Sequence, residues 1–254
     1  EFDKALALDP KNFEARMHMV FIHMARGEKR QARELLSTLR REMPNDVGVH
    51  FVSGVLRRLD GDYERALRSF DRMVRLNPAE RVVASYNRAR IFLYQRRPEE
   101  ALSELDQGAA IEPDHPLIKA FRAVALYHLG KLDEAVELLA EVLEKNPRLD
   151  GIRPIYAMYL RKQGRIDEAR SQITEQVKDV AAADHDISYW LASFYALENE
   201  RDLAFEWLER SIALGNENKP WFVSDQNWDE LRNDERYQAL MQRIERSRPL
   251  ERGP

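Results

Sequence analysis

Proline and alanine recur along this chain at a spacing that leaves little freedom in how it can fold. Pro10, Pro44, Pro78, Pro113 and Pro147 lie 34, 34, 35 and 34 residues apart. Ala32, Ala66, Ala101, Ala135, Ala169 and Ala204 keep the same period, and Gly27, Gly61, Gly130 and Gly164 each stand five residues before their alanine. Self-similarity at such a period is the mark of a stacked array, in which each unit buries its apolar face against its neighbours.

Each unit reads as helix, turn, helix and proline stop. In the second unit Val49, Val52, Leu56 and Leu59 keep helical spacing, Gly61 breaks it, and Leu67, Phe70, Met73 and Val74 resume it before Pro78. Glycine suits the turn because it accepts positive φ, and proline ends the second helix because it lacks an amide hydrogen. Acidic residues open the second helices, as in Asp62 and Glu64 or Asp133 and Glu134, where they face the positive end of the helix dipole. A small residue stands twelve before five of the six alanines, at Gly54, Ala89, Ala123, Ala157 and Ala192, and allows close helix approach. A larger one follows four after it, at Leu36, Phe70, Leu105, Leu139, Ile173 and Leu208, and fills the gap.

Composition removes several chemistries. The 254 residues include no cysteine, which excludes disulfides, thiol nucleophiles, iron–sulfur clusters and cysteine zinc sites. No apolar run approaches the roughly 18 to 20 residues that span a bilayer, so no membrane insertion is expected. No phosphate-cradling glycine loop, zinc-protease histidine pair or serine elbow is present. His18 and His23, near Met19 and Met24, sit about 140° apart around a helix and cannot easily share an ion. Asp184, His185 and Asp186 read as turn and N-cap chemistry. No catalytic residue, metal ligand or cofactor is therefore assigned, and the chain is expected not to be an enzyme.

The order small residue, glycine, alanine, large residue, proline resembles the tetratricopeptide repeat over residues 1 to 216. The resemblance implies an all-α, right-handed superhelical solenoid. Residues 1–10 are in phase with the second helix of a truncated upstream unit; units follow at 11–44, 45–78, 79–113 and 114–147, a degenerate one at 148–181 and a last at 182–216. Residues 217–254 form a C-terminal cap, whose final helix carries Tyr237, Leu240, Met241 and Ile244 on one face behind Asn233 and Asp234. That ending is similar to the repeat regions of bacterial winged-helix regulators, adenylate cyclases and serine/threonine kinases, so a sensory or regulatory role in such a protein is a second reading. The chain departs from the family pattern in places. Arg96 and Asn199 replace the turn glycine, Ala181 replaces a sixth proline, and Arg16, His50, Ser85, Lys119, Arg153 and Ser188 replace an early aromatic. A looser or longer connection is expected around Val177 to Asp184.

The family stacks its first helices into a concave groove. The resemblance places there Met17, Phe21 and Met24; Phe51, Val55 and Arg58; Tyr86, Arg90 and Leu93; and Val124 and Tyr127. Such an apolar surface suits an extended peptide or an amphipathic helix from a protein partner, with Arg58 and Arg90 as readers of an acidic group. The competing possibility is that superhelical curvature buries these side chains against neighbouring units. Charge is polarised along the chain: residues 1–100 carry a net charge of +5, residues 101–254 one of −9. Arg65, Arg68, Arg72 and Arg75 form a basic stripe, and Glu134, Glu137, Glu141 and Glu144 an acidic one at the same repeat positions. Both are expected on the convex side, either solvated or pairing between molecules in a salt-sensitive way. Nucleic acid is not expected as a partner, because the basic half lacks interleaved aromatic residues. The expected location is cytoplasmic, with the periplasm left open.

Overall fold

Helix follows helix throughout the computed structural model, which describes residue 9 and residues 11–247. Among the described residues there are fifteen α-helices and no strand. Helices α1 (Phe13–Ala25) and α2 (Lys29–Glu42) form the first pair, α3 (Val47–Leu59) and α4 (Tyr63–Leu76) the second, and α5 (Arg81–Tyr94) and α6 (Pro98–Ala109) the third. The fourth pair is α7 (Pro116–His128) and α8 (Leu132–Lys145). The half-unit expected over residues 1–10 lies, apart from Asp9, outside the described residues.

The alanine comb explains why the pairs pack. Ala32, Ala66, Ala101, Ala135, Ala169 and Ala204, one in the second helix of each unit, are all 0% exposed. Gly54 shows how tight a crossing can be, because a Cβ there would come within 2.6 Å of the Phe70 ring. Several helices start on a side-chain cap: Asn12, Asp46, Asp62 and Asp184 accept backbone N–H bonds from the first turn. Arg96 and Asn199, at φ 60° and 59°, hold the left-handed turn that glycine holds in the other units. Where the early aromatic is missing, polar contacts replace it. Arg16 pairs with Glu42 at 2.5 Å, Lys119 with Glu141 at 3.1 Å, and the Ser188 hydroxyl donates to the Ala181 carbonyl at 2.5 Å.

The fifth unit departs from expectation. After α9 (Arg153–Lys162) the second helix is split into α10 (Ile166–Ser171) and α11 (Glu175–Ala183). The break falls at Gln172 to Thr174, where Thr174 caps α11 through Val177 N–H at 3.3 Å. The stretch from Val177 is thus no loose connection. Val177 and Ala181 are fully buried and take over the packing that Ile173, only half-buried, does not supply.

The last pair, α12 (His185–Leu197) and α13 (Arg201–Ala213), leads into a short α14 (Lys219–Ser224) and the capping α15 (Glu235–Ser247). Tyr237, Leu240, Met241 and Ile244 are buried, and Gln238, Gln242, Arg243 and Arg246 face water. Residues 213–225 then reach the first three units, so the superhelix closes on itself. Lys29 pairs with Glu217 at 2.9 Å, Glu217 N–H donates to the Leu59 carbonyl at 2.9 Å, and Tyr63 hydroxyl donates to Asn218 Oδ1 at 2.6 Å. Trp221 stacks on Tyr94 with centroids 4.2 Å apart, and Arg96 donates to the Ser224 carbonyl.

Two turn glycines make this approach possible. Gly27 and Gly61, both at φ +72°, lie directly beneath the returning segment. A methyl group on Gly27 would overlap the Ala213 carbonyl, and one on Gly61 would come within 2.8 Å of Pro220. Gly130 and Gly164 occupy the same repeat position with nothing within 4 Å of an added Cβ.

Candidate functional site

Closure brings three distant charges together in the interior. Arg58 on α3 donates both terminal nitrogens to the Asp186 carboxylate on α12, each at 3.0 Å, and Arg90 on α5 adds a third contact at 2.6 Å. Arg58 is 2% exposed, and Asp186 is buried with it. Desolvation alone would raise the Asp186 pKa, but Arg58, Arg90 and His185 override it and hold the carboxyl well below its usual range. For Arg90, desolvation works against the charge and is outweighed by Asp186 and Tyr94, which raise its pKa. Arg58 and Arg90, expected to read an acidic group on a partner, instead pair with a carboxylate of their own chain, and the Nε of each is buried without a hydrogen-bond partner.

Beside this triad a pocket of about 730 Å³, including its open mouth, lies between the inner helices and the returning segment. Its flat walls are aromatic. Tyr127 stacks on Tyr159 with centroids 4.4 Å apart, Tyr94 on Trp221, and the Arg90 guanidinium lies over Phe121 at 5.1 Å and Trp190 at 5.4 Å. Asp225 supplies a carboxylate to the lining. Its Oδ1 accepts the Asn227 N–H at 3.0 Å, and its Oδ2 accepts the hydroxyls of Tyr189 at 3.0 Å and Ser193 at 3.2 Å. Burial pushes the Asp225 pKa up against these bonds, and it pushes the Tyr159 phenol well above its ordinary value.

His128, also in the lining, is lowered to about 4, first by burial and then by the nearby Arg96. Its effect on stability has a definite sign. Between about pH 6.5 and pH 4 the unfolded chain binds a proton that the folded chain does not, so stability falls as pH drops through that window. After allowance for the partial exposure of a half-buried ring, the loss is about 1 to 2 kcal/mol. Chemical denaturation at several pH values is expected to show a shallower slope for His128→Gln.

The groove residues named from sequence divide into two sets. Met17, Val55, Arg58, Arg90 and Leu93 are buried; Met24, Phe51, Tyr86, Val124 and Tyr127 are half-buried; Phe21 is 39% exposed. Arg90, Leu93, Val124 and Tyr127 share the pocket. Phe21, Met24 and Phe51 sit apart from it on α1 and α3. Residues not singled out as site candidates contribute as much to the lining: Tyr94, Tyr159, Trp190, Trp221 and Asp225. The sequence carried one usable sign of them, the run Pro220, Trp221, Phe222, which is very aromatic for a cap facing water.

The charge stripes lie on the surface and are largely paired within their own neighbourhood. Arg65, Arg68 and Arg75 are exposed and Arg72 half-buried; Arg65 meets Asp62 at 3.2 Å, Arg68 meets Glu64 at 3.9 Å and Arg72 donates to Asn45 at 2.6 Å. Glu134, Glu137 and Glu144 are exposed, and Glu134 pairs with Lys131 at 3.1 Å. Half-buried Glu141 pairs with Lys119 at 3.1 Å and Lys145 at 2.8 Å. Among the described residues no group of three or more His, Asp or Glu is placed to hold a metal ion, and no helix is long and apolar enough to cross a membrane.

Stacked helix pairs around an inner surface define an α-solenoid repeat protein. The chain belongs to the tetratricopeptide-repeat family, whose models match residues 1–50, 58–125, 92–157 and 157–219. Its fold is similar to that of a tetratricopeptide-repeat protein from Parabacteroides merdae, with 14% identity, 96% of this chain and 90% of that chain covered, and a TM-score of 0.59. PilW, a type IV pilus biogenesis factor, is similar at 14% identity over 87% of this chain and 98% of that one, with a TM-score of 0.57. A thermophilic repeat protein of Thermus thermophilus is 26% identical over 63% of this chain and 87% of its own, with a TM-score of 0.55.

Proposed function

We propose that the protein is a non-enzymatic interaction scaffold that holds an extended segment or amphipathic helix of a protein partner on the part of its inner face that closure leaves open. Tetratricopeptide repeats generally serve as protein-interaction scaffolds. The observation that carries the reading here is the apolar lip of the first two units. Phe21 is exposed on α1 one turn from half-buried Met24, and Phe51 is half-buried on the next inner helix, α3, whereas residues 217–221 cover Leu59, Tyr63 and Tyr94. Apolar patches on consecutive helices match the i, i+3, i+4 anchors of a docked helix, and methionine adapts to irregular surfaces.

The test avoids Arg90, whose replacement would break the buried charge triad. Phe21→Glu combined with Phe51→Ala is expected to weaken partner capture from a lysate of the source cells by at least about tenfold. The helical circular-dichroism signal should remain. Capture at the original level would remove the lip from the binding surface.

A further inference from the structure

We propose that the central pocket is a ligand site for a carboxylate carried on a single aromatic ring. This goes beyond the scaffold reading and does not depend on it, since Phe21 and Phe51 lie outside the pocket. Hydrogen-bonding capacity supplies the first argument. The indole N–H groups of Trp190 and Trp221 can only donate, and among the described residues neither has a hydrogen-bond partner; the hydroxyls of Tyr127 and Tyr159 have none either. The carboxylate of Asp225, by contrast, already takes three neutral donors. Among the described lining residues one buried acceptor, Asn227 Oδ1, is also without a partner, but Arg90 Nε and the two indole N–H groups outnumber it, so donors remain in excess and a ligand rich in acceptors fits.

Charge points the same way. Arg58 and Arg90 share a single carboxylate, Asp186, which leaves a guanidinium charge in excess behind the Phe121 and Trp190 rings. Arg96 at the rim donates to the Ser224 carbonyl, a neutral acceptor that does not cancel its charge. Asp225 opposes an anion, but both its oxygens are turned to the Tyr189, Ser193 and Asn227 donors. Phe121, Tyr127, Tyr159 and Trp190 line the pocket with ring surface against which one ring can lie. A ligand here would touch the third to sixth units and the returning segment together, and so would favour the closed ring.

The experiment is calorimetric titration of the intact chain with phenylacetate, phenylacetamide, phenethylamine and acetate. Phenylacetate is expected to bind at least about tenfold more tightly than each of the others. Arg96→Asn, which installs the residue found at the equivalent turn as Asn199, should reduce that preference at least about fivefold. Asp225→Asn should strengthen phenylacetate binding several-fold, a gain that a damaged fold cannot produce. N-acetyl-glycyl-phenylalanine, titrated alongside, separates the sources: tighter binding than phenylacetate makes the acid a chain terminus, weaker binding makes it a free small molecule, and both lie within the proposal. Equal or tighter binding of the amine or the amide, no binding of any probe at about 10 mM, or weaker phenylacetate binding in Asp225→Asn would overturn it.

Discussion

Asp186→Ala is expected to destabilise the protein by about 3 to 5 kcal/mol, because it strands two guanidinium groups in the interior with no counter-charge. The cost comes from the buried cations left behind more than from the bond removed. A triple variant, Arg58→Met with Arg90→Met and Asp186→Leu, should therefore recover most of the loss, since apolar groups of similar volume need no partner. Denaturant unfolding of both variants decides the matter, and equal losses would mean that the triad contributes geometry and not charge compensation. The pH dependence follows from the sign of the shift. A carboxylate whose pKa is depressed by folding contributes fully above its unfolded value, near pH 4, and loses that contribution progressively as pH falls from there through its own lower value. The Asp186 contribution should accordingly be constant from about pH 5 upward.

Gly27→Ala and Gly130→Ala form the second test, because the two positions share a backbone conformation and differ in what covers them. At φ +78° Gly130→Ala meets only the local strain of a left-handed residue, about 1 to 2 kcal/mol. At φ +72° Gly27→Ala meets that strain and also the Ala213 carbonyl, adding about 1 to 3 kcal/mol of overpacking or forcing the segment away. Small-angle scattering is expected to show a larger radius of gyration for Gly27→Ala and an unchanged one for Gly130→Ala. If the two variants prove alike in size and stability, the closing contact is not tight in solution.

What could be read from the sequence is what repeats locally. The alanine comb, the small residues opposite it and the apolar face of the last helix depend on contacts within one unit or between adjacent ones, and each has a spacing that the chain displays. Groove occupancy depends on a small rotation per unit summed over five interfaces, and no local spacing encodes that sum. Asp186 illustrates the gap. Its neighbours Asp184 and His185 make it look like part of a helix cap, and Asp184 does cap α12 through the N–H groups of Asp186 and Ile187. The partners of Asp186 itself are 128 and 96 residues away, and nothing near it announces them. The loose connection expected around Val177 to Asp184 fails for a local reason. The missing proline at Ala181 drew attention to the helix end, while the cap that restarts the helix, Thr174, lies seven residues earlier.

An open array of helix pairs can melt from its ends, one unit at a time, because each unit answers only to its neighbours. In this chain the bond between Lys29 and Glu217 joins residues 188 positions apart, and the first unit cannot loosen without disturbing the segment that follows the last. Closure exchanges independent fraying for shared cooperativity. Amide hydrogens in α2 and α13 should exchange together through one global opening, and folding should be slowed by the long loop that must shut before the final contacts form.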